Sequence, residues 1–449
     1  MKAKPMLLLM VVFPLASYAT ISDFDLNIKD KDRVYHLDNN QLYVDSIEGS
    51  YKVDSQKHAI KSEEHLYDAA NYYYIPSVTI SSQIQQKMDR PGHPSPNTEF
   101  SLELSARLKM WSDTVGDQKD AAYYRLLSEK DTYNQRVNEV YSIVHQNLVK
   151  IEAARTFLER SKHYKAKMDL LLSRMDVSSK AGILKKSDRV FADVTLKKFD
   201  ESVLNIQSQV EQYKSLINNL TPNSLYKDGY GLSNAYIKEY IKLTDDLFDF
   251  DRVVSRNFKI KSKRNSLMAD KYNMEATNEN FKVELVTQHN IKENKLSSIK
   301  NKDNVATEGY TYDNDGNSYI GVQATFTGIN YAGFKNKQSE REKYIQKSIE
   351  YDEFLHTTKV ELNTLKSQSK LIYERMASVE NQINLTTNVI KNQLNEMSVD
   401  ESSAMDIFRN ISSLLDLEIN KLTILNELID LSTKINEFNA NIPNEYVIK

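Results

Sequence analysis

The sequence predicts a mostly α-helical chain that carries two β-hairpins and uses one repeat twice: helix, hairpin, then a pair of long coiled-coil helices. Three observations predict it. Phe100 to Met110, FSLELSARLKM, sets Phe100, Leu102, Leu104, Ala106, Leu108 and Met110 at every second position, with polar or charged residues between. That is the period of a strand with two unlike faces. Long runs free of proline then repeat apolar residues at spacings of three and four, a coiled-coil seam. Finally, the two halves match at a constant offset of 218 positions, as the numbers of Ala106 and Ala324, and of Asp188 and Asp406, show. Coils packed side by side must agree in length if their turns are to lie in one plane, so the equal offset speaks for a structural duplication.

The first 19 residues read as a secretory signal peptide. Lys2 and Lys4 form a positive start, Met6 to Leu15 a short apolar core, and Ser17-Tyr18-Ala19 the small-residue cleavage site. Cleavage there makes Thr20 the first mature residue and takes the formal charge from -3 to -5 by removing Lys2 and Lys4. With Cys 0, the chain forms no disulfide or thiolate metal site and takes no lipid on an N-terminal cysteine. The two charge signs are interspersed, so nucleic acid is not an expected partner. Gly 11 and Pro 8 are few for a compact α/β enzyme and suit long uninterrupted helices. No later stretch reaches the roughly 18 apolar residues of a spanning helix, so a membrane crossing would have to use strands.

In chain order, residues 20–217 make the first repeat. A polar arm leads to a helix from Gln41 to Tyr74, which Pro76 closes. The hairpin 77–110 follows. Val78, Ile80 and Ile84 alternate with Ser77, Thr79 and Gln83, then comes the turn-rich Asp89 to Asn97 and the strand described above. The long coils cover 112–175 and 187–220. The first, with its seam at Tyr133, Val137, Val140, Val144, Leu148 and Ile151, would be roughly 95 Å long. The seam of the second runs through Phe199, Val203, Ile206, Val210 and Ile217. Residues 218–234, with Pro222, Gly229 and Gly231, form a linker. The second repeat, 235–438, has a helix from Ala235 to Thr277 and a hairpin at 281–328, whose polar loop runs from Lys292 to Asn317. Its coils cover 335–397 and 405–438, and residues 439–449 are a C-terminal tail.

Little here suggests catalysis. His 8 includes no HExxH and no close pair, so no catalytic or metal histidine is expected. Asp313 to Asn317, DNDGN, starts like a calcium loop but has Ser318 and Ala324 where such loops need Gly and Glu, and reads as a polar turn. No phosphate loop or nucleophile elbow is present, so no enzyme and no cofactor are expected. The tyrosines Tyr72 to Tyr74 and Tyr310, Tyr312 and Tyr319 sit at opposite strand ends, where aromatic girdles of a membrane barrel would be; ordinary packing is the alternative.

The order of elements resembles the TolC-like outer-membrane efflux proteins over nearly the whole mature chain. AANYYYIPSV is similar to that family's passage from helix to strand. AGILKKSDRVFADVTLKKFDESV and SVDESSAMDIFRNISSLLDLEI are similar to its two helix turns. The resemblance implies a homotrimer in the outer membrane of a Gram-negative bacterium. Four strands per chain would close a 12-strand β-barrel in outer-membrane lipid, continued by a periplasmic α-barrel. It implies an export duct of a tripartite efflux or type I secretion system, fed by an inner-membrane transporter and a periplasmic adaptor (a membrane fusion protein). Asp188 and Asp406 become entrance residues, and Arg409 stands one turn after Asp406, where the family tends to have an acid. Ala181, Gly182, Leu184, Val399 and Asp400 become turn residues for adaptor docking; Asp400 departs from the family's glycine. Glu99, Glu103, Arg107 and Lys109, on the polar strand face, would line the lumen. The alternative is a soluble periplasmic coiled-coil adaptor or scaffold, which explains the heptads and the signal peptide but not the two-faced hairpins.

Overall fold

The computed structural model describes residues 35–87, 97–182, 184–222, 225–300, 306–311, 317–328, 330–397 and 404–448, with backbone alone at 85–87, 97–100, 292–300 and 306–311. The signal peptide, most of the N-terminal arm, and Val399 and Asp400 lie outside them. The chain divides into two compact units: a helical unit of Met1–Ser50, Glu139–Asp249 and Leu362–Asn441, and a strand unit of Tyr51–Asn138, Phe250–Glu361 and Ile442–Lys449.

The helix expected from Gln41 to Tyr74 is two helices, α1 (Asn39–Glu48) and α2 (Tyr51–Asn71). Asp38 caps α1 by accepting from the Asn40 N–H. At its C-cap, position 49 must be glycine because the chain passes close to Thr221 there: a Cβ would lie 2.7 Å from the Thr221 methyl carbon.

In the strand unit, β1 (Ser77–Lys87), β2 (Asn97–Ser112), β3 (Phe281–Lys300), β4 (Ala306–Thr311) and β5 (Ser318–Phe326) form one antiparallel sheet. The two hairpins join through β2 and β3, with Leu104 opposite His289 and Leu108 opposite Leu285. β5 lies along the first half of β3, and β4 along its second half. The polar loop expected from Lys292 to Asn317 is thus largely strand. The ladder that β2 carries up to Thr98 opposite Lys295 supplies backbone partners that a polar side-chain pattern does not advertise. A bulge between Lys109 and Trp111 shifts the register and sets the Trp111 ring 5.4 Å from that of Phe281.

The single helix expected from Ala235 to Thr277 is three: α5 (Asn234–Tyr240) in the helical unit, then α6 (Phe250–Arg256) and α7 (Phe258–Glu275) in the strand unit. A local cap competes with continuation between α6 and α7, where Asn257 accepts from the Ile260 N–H. The C-terminal tail is tied down in the strand unit. Asn134, 3 % exposed, donates to the Ile448 carbonyl and accepts from its N–H, both at 2.8 Å. Asn134→Ala should free this tail, and limited carboxypeptidase digestion should then remove residues 442–448 at least several-fold faster than in the wild type.

Four long helices dominate: α3 (Val115–Lys180), α4 (Lys186–Asn218), α8 (Tyr331–Met397) and α9 (Ala404–Phe438). The seam of α3 is buried at Tyr133, Val137, Val140, Val144, Leu148 and Ile151, and that of α4 at Phe199, Ile206, Val210 and Ile217. In the helical unit all four converge on one core, with Met168, Leu171 and Met175 of α3, Phe199 of α4, Ile390 of α8 and Phe408 of α9. Among the described residues no helix is long and apolar enough to cross a membrane.

Candidate channel surfaces

The sheet is inside-out by the standard of a water-soluble protein. Residues directly opposite each other share a face, so Val78, Ala106 and Thr287, or Ile80, Leu104 and His289, stand on one side. That side is apolar and uncovered: Ile80 is 70 % exposed, Ile84 71 %, Ile320 73 % and Phe326 74 %. The other side carries Glu103, Arg107 and Lys109, and the backbone position of Glu99, next to Ser81, Ser77, Gln288 and Asn290. Glu284, on the same side, is buried and pairs with Lys282 at 3.1 Å, while Lys109 pairs with Glu279 at 2.6 Å. The charged side chains thus gather on one face, with Lys282–Glu284 and Lys109–Glu279 as ion pairs, while the exposed apolar ones stand on the other.

The expected girdle is corrected at one residue. Tyr319 precedes Ile320 and so falls on the polar face, where its hydroxyl donates to Gln288 at 2.6 Å. Tyr72 and Tyr74 are exposed, as a girdle needs. The side chains of Tyr310 and Tyr312 lie outside the description.

In the helical unit α3 and α4 meet at a tight turn. Gly182 adopts φ +74°, a left-handed conformation that costs a residue with a Cβ, and Ala181 beside it is exposed. Leu184 folds back onto the helical core. Asp188 lies in the first turn of α4, where its charge complements the helix dipole. The residue that fastens this turn is its neighbour. The Arg189 guanidinium binds Asp176 across the turn and Asp193 one turn on, and its hydrogen bond holds the Asp176 carboxyl below the usual carboxylate range. On α9, Asp406 is in the first turn and sits 3.6 Å from Arg409. The Arg409 guanidinium also lies 5.6 Å from the centre of the Phe191 ring, a cation–π contact that ties α9 to α4. No sequence motif announces Arg189 or Phe191. The chance of finding them lay in the i,i+4 spacing of Arg189 and Asp193.

The long helices also present a second apolar side. On α4, Phe199, Ile206, Val210 and Ile217 point inward, while Val190, Val194 and Leu204 are 48–62 % exposed. At about 100° per residue these two sets lie on opposite sides of the helix. On α8, Leu371, Leu385 and Val389 are exposed, and Leu365, Ile390 and Leu394 on the far side are buried. Among the described residues no group of three or more His, Cys, Asp or Glu could hold a metal ion.

Solved structures share this fold. The outer membrane protein VceC from Vibrio cholerae superposes with a TM-score of 0.68 at 11% identity, over 89% of this chain and 95% of that one. The Campylobacter jejuni CmeC outer membrane channel gives 0.67 at 12% identity, over 95% and 93%. The open state of the Neisseria gonorrhoeae MtrE outer membrane channel gives 0.67 at 8% identity, over 93% and 95%. No protein-family model matches the chain, and no curated protein matches it in sequence. The chain therefore has the fold of the TolC-like outer-membrane channels.

Proposed function

We propose that the chain is an outer-membrane export channel, assembled as a homotrimer. Four strand positions per copy, β4 and β5 sharing one beside β3, close a 12-strand β-barrel in lipid, and the long helices of three copies form a periplasmic α-barrel. The observation that carries the reading is the sheet whose apolar side chains are exposed on one face and whose charged side chains stand on the opposite face. Open edges are not tolerated in lipid, so β1 on one edge and β5 on the other need partners from other copies. The two-sided apolar helices α4 and α8 support the same reading, since each helix of a closed ring has a neighbour on both sides. The two halves are then copies of one repeat, 20–217 and 235–438, joined by the linker 218–234, and residues 1–19 are removed on export.

In this reading Glu99, Glu103, Arg107 and Lys109 line the lumen. The turns at Ala181, Gly182 and Leu184, and at Val399 and Asp400, dock a periplasmic adaptor. An inner-membrane transporter supplies the energy, as in tripartite efflux or type I secretion. Fractionation tests the core of it. The protein should resist osmotic shock, need detergent for extraction and elute with a trimer mass; release by osmotic shock alone would refute it.

Asp188, Asp406 and Arg409 make the narrow entrance. Because Arg409 lies beside Asp406, the entrance should be only weakly cation-selective. Arg409→Ala should raise the permeability ratio of potassium to chloride several-fold in planar bilayers, and Asp406→Ala should lower it. If neither variant changes that ratio or the block by divalent cations, the two residues are not at the constriction.

A further inference from the structure

The helical unit contains a cleft of about 180 Å³ between α3, α5, α8 and α9. We propose that it binds a small amphipathic anion, an apolar chain or ring that carries one carboxylate or sulfonate.

The lining sets the chemistry. Phe157, Ile237, Met376 and Leu422 give an apolar floor. Over it stand two ion pairs that neutralise themselves. Glu418, 6 % exposed, takes Arg160 on one oxygen at 3.3 Å and the Tyr164 hydroxyl on the other at 3.2 Å. Lys421 binds Glu380 at 2.8 Å. What remains is Lys238, exposed on the α5 side, which has no ion-pair partner among the described residues. The cleft thus offers an apolar floor with one uncompensated positive charge. Both carboxylates are engaged, so a cation entering would meet three positive side chains and no free acid. An uncharged apolar molecule would leave Lys238 unused. A mostly apolar lining with a few fixed polar groups is the usual composition of a ligand site, and the volume, below the roughly 300 Å³ of sites for drug-sized molecules, restricts the occupant to about the size of a medium-chain fatty acid.

The site is separate from the faces assigned above. Met376 and Glu380 lie roughly 140–180° around α8 from Leu371, Leu385 and Val389, at about 100° per residue. A neighbouring copy seated on those exposed residues leaves the cleft open. A ligand within it touches four helices from four separate stretches of chain, so its binding favours their packed arrangement.

The test uses the full-length protein in lipid nanodiscs, with octanoate as the probe and octylamine and octanol as matched controls. Saturation-transfer NMR is read against protein-free nanodiscs to remove partitioning into lipid. Octanoate should bind at least tenfold more tightly than octylamine and should raise the thermal unfolding midpoint. Lys238→Glu, an exposed substitution that leaves the fold intact, should weaken octanoate at least tenfold. Leu422→Trp, which fills the cleft, should abolish binding. Equal binding of octanoate and octylamine would overturn the proposal, as would octanoate binding that Lys238→Glu leaves unchanged. The Lys238→Glu result decides the matter even if Leu422→Trp does not fold.

Discussion

With Leu385 and Val389 both replaced by lysine, the chain should keep its own helical packing and lose the ability to assemble. The two positions are one helical turn apart on α8, 57 % and 46 % exposed, and point away from Ile390 and Leu394, which are 0 % and 6 % exposed in the core. Nothing within the helical unit depends on them, so the intrachain core that includes Phe408 and Leu171 is untouched. In a closed ring the same two side chains meet the next copy. Burying each contributes about 1.5–3 kcal/mol relative to leaving it in water. Lysine removes that gain and adds the cost of desolvating a charge with no partner. Every interface of a symmetric trimer carries the pair once, so the loss recurs at each contact. Circular dichroism of the purified variant should match the wild type, while its mass in detergent should fall from trimer to monomer. A variant that remains trimeric would show that this side of α8 faces solvent or another partner, and the closed-ring reading would lose its main helical support.

The sequence made visible what short-range pattern controls. Alternation revealed the faces of β1, β2 and β5, because a strand repeats every two residues and one apolar face leaves a plain mark. Threes and fours revealed the seams of α3 and α4, which are buried where the spacing put them. Contacts between distant parts of the chain left no such mark. The need for glycine at 49 comes from Thr221, far along the chain. The long extension of β3 depends on β2 as a template. Tyr319 stands at a strand end, where a girdle residue would, yet the parity that puts Ile320 on the apolar face puts Tyr319 on the other. Among the candidate residues, Gly182 was readable because a helix turn needs a left-handed position. Arg189 was not, because its partner Asp176 belongs to the preceding helix. No motif marks the one histidine with an unusual environment, because its partners come from distant helices.

That residue is His145, and it should make the helical unit sensitive to acid. It stands on α3, 4 % exposed, with a tyrosine hydroxyl on each ring nitrogen: Tyr43 of α1 at 2.7 Å from Nδ1 and Tyr236 of α5 at 3.1 Å from Nε2. The Tyr141 ring stacks on it at 10° and the Tyr240 ring lies 4.6 Å away. A neutral imidazole has one donor and one acceptor nitrogen, so one tyrosine accepts from it and the other donates to it. The groups that face it are tyrosines from α1, α3 and α5. On the α9 side the nearby acid, Asp430, already has Lys150 as its partner. Nothing in the cage compensates an imidazolium, and burial pulls the pKa of His145 from 6.5 down to about 4. The unfolded chain therefore binds this proton below pH 6.5, while the folded chain resists it until about pH 4. The contribution of His145 is complete above pH 6.5 and is lost as pH falls toward 4, about 3 kcal/mol in all at roughly 1.4 kcal/mol per pKa unit. His145→Asn lacks the titrating group. It should be less stable than the wild type at pH 7.5 because the cage is truncated, but the gap should narrow or reverse by pH 4.5. Thermal unfolding of both proteins at the two pH values measures this directly, and the carboxylates common to both cancel in the comparison. If wild type and variant lose stability in parallel between pH 7.5 and 4.5, His145 is not the acid-sensitive group of the cage, and the tyrosines around it serve packing alone.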